Sequence, residues 1–178
     1  RLQKNLEGKN FYIVVSDGLT AKPEYIELSR ENYINEMLAT GSLPVLMKNP
    51  IKLNNKHKYD GGITDPLPVR KAYELGARDI TIIRTYEETF IRKSKLENYI
   101  AALATRSYPE ISKALISNTK TYNTALEFIE NPPSDCTIKQ ICPPCRLKTK
   151  RATTNHITMK ADYQIGVKVG QNFLQKFT

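Results

Sequence analysis

Apolar and polar positions along this chain alternate between two periods, and the changes of period divide it into elements. From Phe11 to Asp17 the run FYIVVSD is β-branched and aromatic without interruption, the pattern of a strand buried on both faces. A loop with Gly18 and Pro23 follows. In RENYINEMLATG, Tyr33, Ile34, Met37 and Leu38 fall on one face of a 3.6-residue period; Ser29 is placed to cap this helix and Gly41 to end it. Short apolar pieces around Asn54-Asn55 predict a hairpin between Pro44 and Tyr59. In DPLPVRKAYELGA, Asp65 and the prolines stand before a helix and Gly76 stops it. DITIIRT, 79–85, reads as a second buried strand. Strand, helix and strand at this spacing predict an α/β fold with a parallel sheet.

After residue 90 the helical period dominates. Leu96, Tyr99, Ile100 and Leu103 mark one amphipathic helix. Pro109 opens a longer one with Ile111, Leu115, Tyr122, Leu126 and Ile129 inward, halted by Asn131-Pro132-Pro133. TIKQI, 137–141, alternates like an edge or half-buried strand. The stretch from Thr158 to Phe177 fits both periods, because Tyr163, Ile165, Val167 and Val169 alternate while Ile165, Val169, Phe173 and Phe177 recur helically. The helical reading is preferred. No internal repeat or low-complexity linker interrupts the pattern. The expected division is 1–90, the end of an α/β domain, and 91–178, a mostly helical extension.

Composition changes this picture little. The chain has 178 residues, 40% hydrophobic and 25% charged, as in an ordinary globular domain. No apolar run reaches the length that spans a bilayer. The polar opening RLQKNLEGKN has no secretory character, and a buried strand so soon after it suggests a chain that starts inside a longer polypeptide. Lysine and arginine outnumber acids 27 to 18, a net charge of +9 that suits anionic partners such as an anionic membrane surface. A solvated positive surface accounts for the same count. Nucleic acid is not expected, because several of the ten tyrosines that would stack on bases fall on inner faces of predicted helices. Cys136, Cys142 and Cys145 cannot all pair within one chain, so a reducing, cytoplasmic setting is the default.

The stretch richest in chemistry is YDGGITDPLPVRKAYELGA, 59–77. Asp60 followed by Gly61 and Gly62 places a carboxylate on a turn, where glycines tolerate positive φ and close approach. Such a carboxylate can act as a general base for a hydroxyl. Asp-Gly is also a common turn signal with no chemistry attached. The wider context favours chemistry. Thr40-Gly41-Ser42-Leu43-Pro44, Asp60-Gly61-Gly62, Pro66-x-Pro68 and Gly76 follow one another in an order and spacing that resembles the patatin-like phospholipases, especially their bacterial esterase branch. The tail from NPPSDCTIKQICPPCRLKTKR to ADYQIGVKVGQNF is similar to the region following the catalytic domain in those esterases, though less specifically.

That resemblance implies a three-layer α/β hydrolase acting on acyl esters of lipids through a Ser–Asp dyad, without metal or organic cofactor. Asp60 would be the base and Gly61 and Gly62 its geometric support. Asp65 fits a turn or cap better than a second acid. The departure is large: no Gly-x-Ser-x-Gly elbow and no glycine-rich oxyanion loop occurs in the chain. In the family both lie N-terminal to the matching region. The nucleophile is therefore expected on a preceding segment or a companion chain. The competing reading is a catalytically inactive patatin-like module or a basic binding domain.

Two other constellations compete less well. Cys142-Pro-Pro-Cys145 has C-x-x-C spacing, and Cys136 with His156 would complete a zinc set on paper. A redox pair would open a helix after a strand, whereas basic irregular sequence follows here. Ordinary structural cysteines are preferred. His57 lies three residues before Asp60, but among Asn54, Asn55, Lys56 and Lys58 it reads as a histidine on an exposed turn, not as part of a Ser–His–Asp relay.

Overall fold

The computed structural model describes residues 9–28, 32–44, 47, 50–94, 96–150 and 153–176. Its architecture is mixed α/β. The elements are β1 (Tyr12–Asp17), β2 (Pro23–Glu27), α1 (Tyr33–Thr40), β3 (Ile51–Leu53), β4 (Lys56–Asp60), a 3-10 turn (Gly61–Ile63), α2 (Val69–Glu74), β5 (Asp79–Ile83), α3 (Leu96–Ala104), α4 (Pro109–Glu130), β6 (Thr137–Ile141) and α5 (His156–Gln175). They form two compact units, Arg1–Pro68 with Arg92–Glu127, and Val69–Ile91 with Phe128–Thr178. The units interleave in sequence and do not divide at residues 90/91, because α3 and most of α4 return to the first.

The first unit holds a four-stranded sheet of order β2-β1-β4-β3, antiparallel throughout. The second holds the parallel pair β5-β6, with Asp79 opposite Thr137 and Ile83 opposite Ile141. The run 11–17 and the run 79–85 were expected to share a parallel sheet; instead they lie in different sheets. β1 turns directly into β2 through residues 18–22, a short reversal that makes the two antiparallel, and β4 enters on the other side of β1, running opposite to it, only after β2, α1 and β3. The parallel partner of β5 comes from TIKQI, half-buried as its alternation predicts.

The hairpin signal is realised. Asn54 and Asn55 adopt φ of 50° and 61°, with Leu53 opposite Lys56, a two-residue turn with both central residues left-handed. Gly76, at φ 100°, ends α2: its N–H reaches the Tyr73 carbonyl while the Ala77 N–H reaches Ala72, the Schellman arrangement that requires left-handed backbone. The final segment is helical. Ile165, Val169 and Phe173 are its half-buried stripe, whereas Tyr163, which only the alternating pattern placed inside, is exposed. No helix among the described residues is long and apolar enough to cross a membrane.

The core of the first unit lies on both faces of the sheet. Cross-strand partners share a face, so Ile13, Val15 and Asp17 lie with Lys58 and Asp60, while Ser16 lies with Tyr59. On the first face Ala39 of α1 closes over Ile13 and Val15. On the second, Ile111 of α4 packs on Tyr59 and Ile63. Tyr122, Leu126 and Ile129 of α4 are buried as the stripe predicts.

Two helices reverse their expected faces. Tyr33, Ile34, Met37 and Leu38 of α1, placed inward by the sequence pattern, are about half exposed, and Glu36 and Ala39 are buried instead. Leu96, Tyr99, Ile100 and Leu103 of α3 are exposed too, while Ala102 and Thr105 are buried. Small side chains let α3 approach α4: Ser112 donates to the Ala102 carbonyl at 2.9 Å, and its Oγ lies 3.0 Å from Thr105 Oγ1. Ser29, the predicted cap of α1, lies outside the described residues, and Asn32 precedes the helix without a side-chain cap bond.

Candidate active site

Strand β4 delivers Asp60 to the start of the 3-10 turn. Its backbone is fixed on two sides: the N–H donates to the Ser42 carbonyl at 2.9 Å, and its carbonyl accepts from Ser16 Oγ at 2.8 Å. Ser16 Oγ also lies 2.8 Å from Thr64 Oγ1, so both ends of the turn hang on one hydroxyl near the end of β1. Oδ1 of Asp60 accepts the Gly62 N–H at 2.7 Å. That bond orients the carboxylate.

The two glycines serve the turn differently from the sequence expectation, because neither has a positive φ. A Cβ on Gly61 would stand 2.1 Å from the Val14 carbonyl oxygen, inside the backbone of β1. Close approach is what demands glycine there. A Cβ on Gly62 would stand 3.0 Å from Asp60 Oδ1, against the carboxylate itself. Asp65 is a turn residue: its N–H donates to the Gly61 carbonyl, and Tyr25 donates its hydroxyl to Oδ2 at 2.5 Å.

The sequence reading missed Asn118. It sits on α4 in the same stripe as Ile111, Leu115 and Tyr122, a polar residue among apolar ones, and that was the available signal. Buried at 8% exposure, it donates through Nδ2 to the carbonyls of Gly62 (2.7 Å) and Ile63 (2.9 Å). Its Oδ1 accepts from Arg92 at 2.5 Å, whose guanidinium lies 4.0 Å over the Tyr122 ring. The Asp-Gly-Gly turn is thus clamped by β1 and by α4.

Lys58 and His57 correct the expectation of an exposed turn. Lys58 is 2% exposed and donates to Asp17 Oδ2 (2.9 Å) and Glu24 Oε2 (2.7 Å). Asp17 Oδ1 also accepts from Leu19 N–H, Thr20 N–H and Thr20 Oγ1, which close the β1–β2 turn. Burial works to raise the Asp17 carboxyl, but the Lys58 bond and the Thr20 and Leu19 donors outweigh it and hold the group far below its ordinary range. Burial works to lower Lys58, and its two carboxylates outweigh that and raise it. His57 lies in β4, with Nδ1 2.8 Å from the Tyr108 hydroxyl. Beside it Tyr59 is pushed up to about 12, by burial first and by Tyr108 second.

A cavity of about 530 Å³ opens on this second face, with His57, Tyr59, Lys52, Thr105, Ser107 and Tyr108 in its wall. Asp60 points to the opposite face by the alternation of β4, so the cavity and the carboxylate are separate features. Ser42 is fully buried, and its hydroxyl has no hydrogen-bond partner among the described residues.

In the second unit the cysteines are free: Cys136 buried, Cys142 half-buried and Cys145 exposed. Burial pushes the Cys142 thiol up, opposite to the shift of a reactive thiolate. Among the described residues no three His, Cys, Asp or Glu side chains gather to hold a metal ion. Arg84, 5% exposed, binds the Glu88 and Phe90 carbonyls and Gln140 Oε1, an internal cation tying the exit of β5 to β6.

Against known proteins, residues 108–178 match a domain family of unknown function, DUF6363. The chain is 25% identical over 168 residues to the uncharacterized protein YjjU of Escherichia coli (strain K12), covering 94% of this chain and 47% of that protein. It therefore spans about half the length of this curated relative. No solved structure matches.

Proposed function

We propose that this chain is the aspartate-bearing part of a patatin-type serine hydrolase that cleaves acyl esters of lipids. Asp60 acts as the general base, and the nucleophilic serine comes from a segment outside these 178 residues. The observation that carries the reading is the construction around Asp60: a carboxylate at the exit of a buried strand, with backbone held by Ser42 and Ser16 and Oδ1 held by Gly62. An ordinary turn also satisfies its backbone, but a base must have its carboxylate held to a fraction of an ångström as well, and the Gly62 N–H holds this one.

In the dyad chemistry the serine hydroxyl passes its proton to the Asp60 carboxylate as it attacks the ester carbonyl, with no histidine between them. The fold expectation belongs to the same proposal: the four-stranded sheet and the β5–β6 pair are parts of a three-layer hydrolase sheet whose remaining strands come with the nucleophile. Lysine and arginine in excess suit an enzyme that works at an anionic lipid surface.

Asp60→Asn in the full-length polypeptide tests this. The amide keeps an oxygen for the Gly62 N–H, so the fold is expected to persist with unchanged melting. Hydrolysis of a p-nitrophenyl acyl ester is expected to fall at least about 100-fold, the scale of a lost general base. Activity within a factor of three of the parent sinks the assignment. A fluorophosphonate probe on the parent, followed by peptide mapping, should mark a serine outside residues 1–178.

A further inference from the structure

The exposed side of α1 is unusual for a packed helix. Tyr33, Ile34, Met37 and Leu38 project outward at 48–59% exposure while Glu36 and Ala39 are buried. A helix against its own sheet normally presents its larger apolar residues inward. Here the inner contact is made by the Ala39 methyl, and the large side chains are turned to whatever lies on the far side. Helix α1 is also tied to the site: Gly41 ends it, and the Ser42 carbonyl one residue later receives the Asp60 N–H. By the register of β1 with β4, the Asp60 side chain lies on the face that α1 covers.

We propose that the outer face of α1 is the docking surface for the segment that brings the nucleophilic serine, and that this contact registers the serine against Asp60. The inference rests on the hydrolase reading above and names the surface through which the active site is assembled. Three observations select this occupant. About half of the curated relative lies outside the matched region, a length sufficient for a further layer of structure. The helix sequence YINEMLAT carries no lysine or arginine, so the helix itself offers no cation to an anionic membrane. The route from this helix to the base is short, through Gly41 and Ser42, so a segment seated on α1 is coupled to Asp60 through the bond from the Asp60 N–H to the Ser42 carbonyl.

Methionine oxidation in the full-length polypeptide tests the proposal, with peptide mapping after brief hydrogen peroxide. Met159 on α5, 43% exposed, is the internal reference for Met37 at 48%. Docking is expected to slow Met37 at least about tenfold relative to Met159. Equal rates overturn the proposal. So does protection of Met37 that vanishes on dilution, which assigns the face to a second copy, or that arises only with anionic vesicles, which assigns it to a membrane. Ile34→Asp supplies a second readout: docking predicts a melting temperature lowered by about 4 °C or more, whereas Ile157→Asp, 82% exposed on α5, leaves it unchanged. An unchanged melt for Ile34→Asp also overturns the idea. A protected Met37 with no fluorophosphonate adduct removes the enzyme and keeps the interface; an adduct with a reactive Met37 does the reverse.

Discussion

Asn118 is the residue on which the geometry of the Asp-Gly-Gly turn most depends from outside its own strand. Asn118→Ala removes the Nδ2 donations to the Gly62 and Ile63 carbonyls, at 2.7 and 2.9 Å, in a place with little access to water. Each such bond contributes about 1 kcal/mol net, and a carbonyl left buried without its donor costs about 1–3 kcal/mol. The Arg92 guanidinium loses one acceptor in the same step. Taken together, and with some relaxation of the turn, the expected loss is about 3 kcal/mol. Urea denaturation of the full-length polypeptide should show this as a lowered midpoint with an unchanged slope. Ser117→Ala is the control next door: it is exposed, bonds only its own helix at the Ala114 carbonyl, and should change stability by no more than about 0.5 kcal/mol. Ester hydrolysis by Asn118→Ala should fall as well, since Gly62 carries the N–H that aims Asp60. A loss under about 1 kcal/mol, indistinguishable from Ser117→Ala, would refute the clamp.

The same geometry separates the two glycines. Gly61→Ala drives a methyl into the Val14 carbonyl and should cost about 3 kcal/mol, read by denaturation. Gly62→Ala presses on Asp60 Oδ1 instead and should reduce ester hydrolysis more than it reduces stability. The pH profile follows from Lys58 and its partners. Asp17 is depressed in the folded state, so its contribution is complete above its ordinary value of 3.8 and is lost as pH falls below it. Lys58 is raised, and Tyr59 is pushed up to about 12, so their contributions are complete below about pH 10 and decline as pH rises further. Lys58→Met leaves Asp17 and Glu24 without their cation; it should cost about 3 kcal/mol at pH 7 and flatten the acid limb of stability against pH. An acid limb as steep as the parent's would remove Lys58 from the explanation.

How much was legible in the sequence depends on how far apart the interacting residues lie. The Asn54-Asn55 hairpin, the stop at Gly76, the stripe of α4 and the turn carrying Asp60 rest on residues within one turn or one strand pair, where backbone preference and period determine the outcome. The helical tail was resolved by the same rule, as Ile165, Val169 and Phe173 are half-buried and Tyr163 is exposed. Tertiary structure alone decided which strands pair. The short turn after β1 and the return of β4 along its other side made that sheet antiparallel, and β5 took its parallel partner from across the long excursion through α3 and α4. It also decided which cations are buried, since a lysine between an aspartate 41 residues away and a glutamate 34 residues away looks in sequence like any other lysine. The outward faces of α1 and α3 show the same limit: the period says which positions are alike, but the apolar drive has no direction of its own. Only the packed chain determines which side it turns to.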